Sequence, residues 1–349
     1  MARAWWTTLA VVAALAIGVA GCGSSGSGTA VRRIALVAPY GSNEPQWTSR
    51  ALGAVAGYRS QLAIRVDTID ASRTTDIRGL LEQASHAGNQ LVIAHDSRYA
   101  DVAEAVAADT KVPELVWGER PHAKKGLVGQ ITVQDKEGGY MAGVVAATSA
   151  ITRRLAVIVL AEGSDWDTAT WNRTAGGYVA GARSVDPGEQ IRYVEVGQSS
   201  PTTPEALYAV THRLLKAGSQ FVLVLGGSAT VGALRAIEDF RGENQYVGVI
   251  GDKAEVNKEN IVLASILYDF KPAFREAVVD VRRGRFGQRP YALTLVDGGI
   301  SVMTTGRTPG EATTAAEAAK TKLEEGQIRV PVTSTAEAVQ ALIAQRAQG

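Results

Sequence analysis

Between residues 31 and 296 the chain alternates short β-branched runs with helical stretches, and no other feature constrains its fold as strongly. The runs at 34–38, 63–69, 90–94, 114–117 and 128–132 are almost continuously apolar, as expected of strands buried on both faces of a parallel sheet. Helical spacing separates them at 50–59, 76–87 and 99–108, and a longer helix at 137–148 closes the block. After a polar break at 151–154 the alternation restarts. Strands are predicted at 155–161, 191–196, 221–225, 246–250 and 262–266, with helices at 170–183, 204–216 and 230–240. A further helix at 273–284 and a strand at 291–296 follow. Such βαβ units predict an α/β fold of two doubly wound parallel-sheet lobes joined by a hinge. A chain of 349 residues exceeds what one core normally organises, which agrees with two lobes. The expected division is a first lobe at 31–152, completed by about 270–297, and a second lobe at 153–269. Hinge crossings are expected near Arg153, Asp269 and Asp297, and residues 298–349 read as a partly helical extension.

The amino end reads as an address. Arg3 precedes an apolar stretch at 9–20, the length of a secretory signal and short of the ~20 residues of a membrane span. It ends in Val19-Ala20-Gly21-Cys22, which resembles a bacterial lipobox, and Cys22 is the chain's sole cysteine. The alternative is an ordinary thiol. On the first reading residues 1–21 are a signal peptide and Cys22 carries lipid. Residues 22–30 are then a Gly/Ser tether, and the protein sits on the extracytoplasmic face of a cell membrane. Lys+Arg total 36 against 35 for Asp+Glu, so the chain lacks the electrostatic footprint of a nucleic-acid binder.

Enzyme signatures are missing from the sequence. The histidines His86, His95, His122 and His212 never pair at metal-ligand spacing, and no G-x-S-x-G elbow occurs. Neither a catalytic residue, a metal nor a cofactor is expected. Gly226-Gly227-Ser228 follows a strand and opens a helix, a place where free N–H groups receive polar ligand atoms. It reads equally as a tight turn that needs glycine. Gly139-x-x-x-Gly143 resembles a membrane dimer motif, but its apolar run is too short to span, so a tightly packed soluble helix is expected.

Ligands of open α/β sheets bind beyond the carboxyl ends of the strands. The mature chain's tryptophans, Trp47, Trp117, Trp166 and Trp171, fall at those ends or just after them. Indoles there suit stacking on a flat solute, although anchoring a loop is the plain alternative. Ser42, Asn43 and Thr48 follow the first strand, His95-Asp96 the third and Asp135 the fifth, while Asp252 and Tyr268 end strands of the second lobe. Asp96 and Asp135 read equally as helix caps.

Glu137-Gly138-Gly139-Tyr140-Met141-Ala142-Gly143 resembles the E-G-x-Y-L-A-G motif of the basic membrane protein family. The similarity continues through Gly181-Ala182-Arg183-Ser184-Val185-Asp186-Pro187, Leu225-Gly226-Gly227, Val247-Gly248-Val249 and Ala264-Ser265-Ile266 to Gly326-Gln327-Ile328-Arg329-Val330-Pro331. These lipoproteins include purine nucleoside receptors of ABC importers, with the type I periplasmic-binding-protein fold. The resemblance implies a solute-binding protein without chemistry of its own, partnered by an ABC permease and by the membrane through its anchor. In the family's pattern Trp47 matches the aromatic that stacks on the base, with Thr48 in place of asparagine, and Asp135 matches the acid that reads the base edge. The second stacking phenylalanine falls at Ser199, the ribose-binding D-x-D becomes Ile250-Gly251-Asp252, and a later lysine becomes Tyr268. The resulting expectation is a receptor for a small aromatic or nucleoside-like ligand. Its site would comprise Ser42, Asn43, Trp47, Thr48, Trp117, Asp135, Trp171, Gly227, Ser228, Asp252 and Tyr268. A regulatory or sensory lipoprotein of the same fold is the alternative, and a hydrolase of exported small molecules a distant third.

Overall fold

The computed structural model describes residues 30–40, 45–118, 121–161, 165–197, 203–227, 229–240, 245–250 and 261–345. The first half runs β1 (Arg33–Ala38), α1 (Pro45–Val55), α2 (Tyr58–Leu62), β2 (Arg65–Asp70), α3 (Ile77–His86) and β3 (Val92–Ala94). A 3-10 turn at Ser97–Tyr99 leads into α4 (Ala100–Thr110), β4 (Glu114–Trp117) and β5 (Val128–Val133). The second half runs α5 (Asp135–Ser149), β6 (Arg154–Leu160), α6 (Asp165–Val185), β7 (Gln190–Val196), α7 (Pro204–Lys216), β8 (Phe221–Leu225), α8 (Thr230–Asp239), β9 (Gln245–Ile250) and β10 (Val262–Tyr268). The chain then returns through α9 (Lys271–Arg282) and β11 (Tyr291–Leu293) before β12 (Ile300–Thr304), α10 (Gly310–Glu324) and α11 (Ala336–Ala344).

These strands form two six-stranded sheets, ordered β11-β5-β4-β3-β1-β2 and β12-β10-β9-β8-β6-β7. The first is wholly parallel, and in the second only β12 runs antiparallel, against β10. The two-lobed α/β reading therefore stands. Strand residues alternate between the faces. Ile34 and Leu36 enter the large core shared by both halves, whereas Ala35 and Val37 pack under α3 and α4. On the second sheet Ala156, Ile158 and Leu160 likewise face α7 and α8. Burial on both faces is the reason the strands read as unbroken apolar runs.

Two assignments differ from expectation. Helix α5, expected to close the first block, packs on α6 and α10 of the second half. Its glycines decide this: a Cβ on Gly139 or Gly143 would strike the Thr174 or Tyr178 carbonyl of α6, and one on Gly177 or Gly181 would strike α5 in return. The two backbones touch, so the Gly139–Gly143 pair is a close-packing device between α5 and α6. The chain first leaves the first sheet at Gln134, where β5 gives way to α5, and Arg153 lies inside the second half. The chain passes between the sheets again from β10 to β11 and from β11 to β12. The second difference is β12, which lies within the expected extension and completes the second sheet. The extension is tied to that half. Arg183 donates to the carbonyls of Leu342, Ile343 and Gln345 at the end of α11, and Thr333 Oγ1 donates to the Asn172 carbonyl.

Candidate functional site

At the carboxyl end of the first sheet the loops after β1, β3 and β4 converge on a group of rings. Trp47 lies in the first turn of α1, half-buried, with Thr48 beside it donating to the Pro39 carbonyl at 3.0 Å. Thr48 is thus committed to fixing the loop that carries the indole. The Trp47 ring stacks on His95, with centroids 4.9 Å apart and planes 20° from parallel. Trp117 closes on it at 4.9 Å and Phe270 meets it edge-on at 4.8 Å. Tyr268, at the end of β10, approaches the same indole edge-on at 6.3 Å. Residues of the crossover segment after β10 therefore touch residues of the first sheet.

His95 is fully buried, and both its ring nitrogens have partners. Trp117 Nε1 donates to His95 Nδ1 at 3.3 Å, which leaves Nε2 to donate to the Trp47 carbonyl, also at 3.3 Å. Desolvation pushes its pKa down to about 3, so the imidazole is neutral at physiological pH. His95 thereby holds Trp47 twice, through its face and through the backbone. Trp117 has no exposed surface and stands behind this pair, and Trp171 is buried within the α6 packing. Trp117 supports the site from within the core, and Trp171 is core packing.

Asp135 is the first residue of α5 and only 1% exposed. Arg173 of α6 donates through Nε to both its oxygens, at 3.1 and 2.9 Å, and the Lys136 amide donates at 2.8 Å. Arg173 Nη2 also donates to Thr170 Oγ1 at 3.0 Å. The carboxylate is therefore held by an internal cation and by the amino end of its own helix. Tyr268 is buried next to it; burial, and then the Asp135 charge, raise its phenol above the ordinary range. Asp96 accepts from the Arg98 amide and pairs with the Arg98 side chain, which makes it a cap and a surface ion pair. Gly227 follows β8, and the preceding Gly226 has φ +145°, where a Cβ would strike Leu160; the turn does need glycine there.

Among the described residues a hydrogen bond spans the two halves on this side. Ser97 Oγ, in the turn after β3, donates to Asp167 Oδ2 in the first turn of α6 at 2.9 Å. The structure thus brings together Trp47, Thr48, Trp117 and Tyr268, with Asp135 beside Tyr268. Ser42, Asn43, Cys22, Ser228, Ser199 and Asp252, with the side chain of Trp166, lie outside the described residues. Sequence reasoning missed Arg173, Phe270 and the stacking role of His95. Arg173 follows Trp171 by two residues, but no local spacing connects it to Asp135, 38 residues earlier. Among the described residues no group of three His, Cys, Asp or Glu side chains is placed to hold a metal ion.

Residues 31–321 match the family described as Bmp, ABC transporter substrate-binding protein PnrA-like. The Transcriptional activator protein med of Bacillus subtilis (strain 168) is 22% identical over 282 residues, 80% of this chain and 84% of its own. The ABC transporter nucleoside-binding protein BmpA of Lactococcus lactis subsp. cremoris (strain MG1363) is 25% identical over 263 residues, 71% of this chain and 73% of its own. In fold, the chain is similar to the ABC transporter system solute-binding protein from Conexibacter woesei DSM 14684. That likeness has a TM-score of 0.70 at 18% identity and covers 86% of this chain and 99% of the other.

Proposed function

Because the chain belongs to the Bmp family of PnrA-like ABC transporter substrate-binding proteins, we propose that it is a lipid-anchored receptor on the extracytoplasmic face of the cell membrane. In this reading it takes a small aromatic or nucleoside-like solute between its halves and hands it to an ABC permease. The observation that carries the proposal is Trp47: a half-buried indole at the carboxyl end of a parallel sheet, backed by His95, Trp117 and Phe270. Such a rigid ring offers stacking worth ~1–3 kcal/mol for a flat base. Asp135 with Arg173, and the groups at Ser42, Asn43, Gly227, Ser228, Asp252 and Tyr268, supply the polar side of the same cleft. Closure is a hinge motion about the crossings at Gln134, Asp269 and Asp297, and the Ser97–Asp167 bond supports a closed arrangement. The likeness to the nucleoside-binding BmpA supports the ligand class. Cys22 is the attachment point of the lipid.

A thermal-shift screen across nucleosides, bases, sugars and amino acids tests this, since a solute at 100 times its Kd adds ~2.7 kcal/mol. A second reading, a regulatory protein of the same fold, draws support from the likeness to Med. Mass spectrometry of gently purified protein separates the two. A co-purifying solute supports the receptor; an empty cleft with a bound protein partner supports the regulator.

A further inference from the structure

Asp135 follows β5 at the carboxyl end of the first sheet, where an acid could read the edge of a flat solute, yet its carboxylate is already occupied. Both oxygens accept from Arg173 Nε, at 3.1 and 2.9 Å, and Oδ1 accepts again from the Lys136 amide. With 1% of the residue exposed, almost no surface remains for a solute's donors. Arg173 is the member of the pair that reaches solvent, with 15% of its side chain exposed. Its Nη2 donates to Thr170 Oγ1 at 3.0 Å, so the guanidinium plane is fixed by two partners, Asp135 and Thr170. Tyr268, at the end of β10 in the second sheet, ties this pair to the ring cluster. Its ring meets the Trp47 indole edge-on at 6.3 Å, and its phenol is close enough to the pair to feel the charges of both Asp135 and Arg173. The stacking indole and the ion pair are therefore one side chain apart, where the carboxyl ends of the two sheets meet.

A guanidinium only donates. It pairs in a fork with a carbonyl oxygen and a ring nitrogen side by side, as arginine does on guanine, whereas an exocyclic amino group meets it donor to donor. We propose that Arg173 reads the edge of the ring stacked on Trp47, and that the cleft thereby selects oxo-substituted heterocycles over their amino-substituted counterparts. This rests on the receptor reading of the cleft and names the edge chemistry of its solute. Asp135 is then a positioning residue, which holds the guanidinium in place. It also balances its charge, so the pair carries no net positive charge to draw a free anion, and a neutral carbonyl is the matched partner.

Inosine and adenosine test this, because they differ only at that edge: a carbonyl beside a ring N–H in one, an amino group beside a bare ring nitrogen in the other. Uridine and cytidine present the same contrast on a smaller ring. In calorimetric titrations the oxo member of a pair is expected to bind with a Kd lower by on the order of five- to 150-fold. Arg173→Lys keeps the ion pair but loses the fork, and is expected to lose most of the preference. Asp135→Asn keeps the guanidinium and is expected to keep the oxo solute ahead; an acid acting as the reader predicts the reverse. Arg173→Gln/Asp135→Asn, which strands no charge, is expected to bind both members alike. Thermal melts establish that each variant is folded. An Arg173→Lys protein that discriminates like its parent overturns the proposal, as does an Asp135→Asn protein that loses the preference. So does a parent that binds the amino member as tightly as the oxo member, although the receptor reading then stands. A parent that binds none of the four overturns it too. The thermal-shift screen then separates the two failures: a shift with some other solute spares the receptor reading, and no shift with any solute ends both.

Discussion

Replacing Arg173 with methionine leaves a buried carboxylate without its cation. Asp135 is 1% exposed and Arg173 contacts both of its oxygens, so water cannot substitute without opening the α5–α6 packing. Breaking such a pair from one side typically costs 3–5 kcal/mol. The low end is expected here, about 3 kcal/mol, because the Lys136 amide and the amino end of α5 still favour a negative charge. For a structure of this size that is roughly 4–5 °C in the melting temperature. The opposite change, Asp135→Asn, is expected to cost less, since Arg173 retains 15% side-chain exposure and reaches solvent. Scanning calorimetry and urea unfolding of both single variants and of Arg173→Met/Asp135→Leu form the assay. The double variant is expected to recover most of the loss, because an apolar pair leaves no stranded charge. A loss below about 1 kcal/mol for Arg173→Met, or a double variant that loses the sum of the singles, would refute the reasoning.

Other consequences follow from the same geometry. Gly143→Ala places a methyl against the Tyr178 carbonyl and is expected to cost at least ~1–3 kcal/mol in urea unfolding, whereas Gly53→Ala, with open space around it, is expected to be neutral or slightly stabilising. Glu189 has its pKa pushed up to about 7 by burial, then by Asp186, with Arg153 opposing. Its folded pKa exceeds its unfolded one, so its contribution is complete below about 4.5 and declines as the pH rises towards 7, by about 2–3 kcal/mol. Glu189→Gln is expected to flatten that decline; unfolding midpoints at pH 5 and pH 8 that shift equally in both proteins would contradict it. Ser97→Ala removes one bond between the halves, to Asp167, worth ~1 kcal/mol, and is expected to enlarge the solute-free protein in small-angle scattering. An unchanged radius of gyration would mean that this contact does not hold the halves together.

Much of the architecture could be read from the sequence, because doubly buried strands leave unbroken apolar runs and their helices leave a 3.6-residue period. The α5 assignment failed for a specific reason. A helix buried almost all round shows no polar face to indicate which sheet it serves, and only its glycines, matched to Gly177 and Gly181 on α6, record the partner. The short β12 carries one buried residue, Ile300, so it gives little period to detect. At the site, Trp47, Thr48, Asp135 and Tyr268 were indicated by position after strands. Their partners were not, because Arg173 and Phe270 reach the site through tertiary packing with no local pattern. Trp117 illustrates the limit of the strand-end argument: it occupies the expected end of β4, yet its indole is wholly enclosed and its N–H is spent on His95.

The most direct test is a calorimetric titration of the screened solute into the parent protein and into Trp47→Ala. The expected result is a five- to 150-fold weaker Kd in the variant, the equivalent of ~1–3 kcal/mol of lost stacking, with partial retention in Trp47→Phe. A folded Trp47→Ala protein that binds the solute as tightly as the parent would contradict the account.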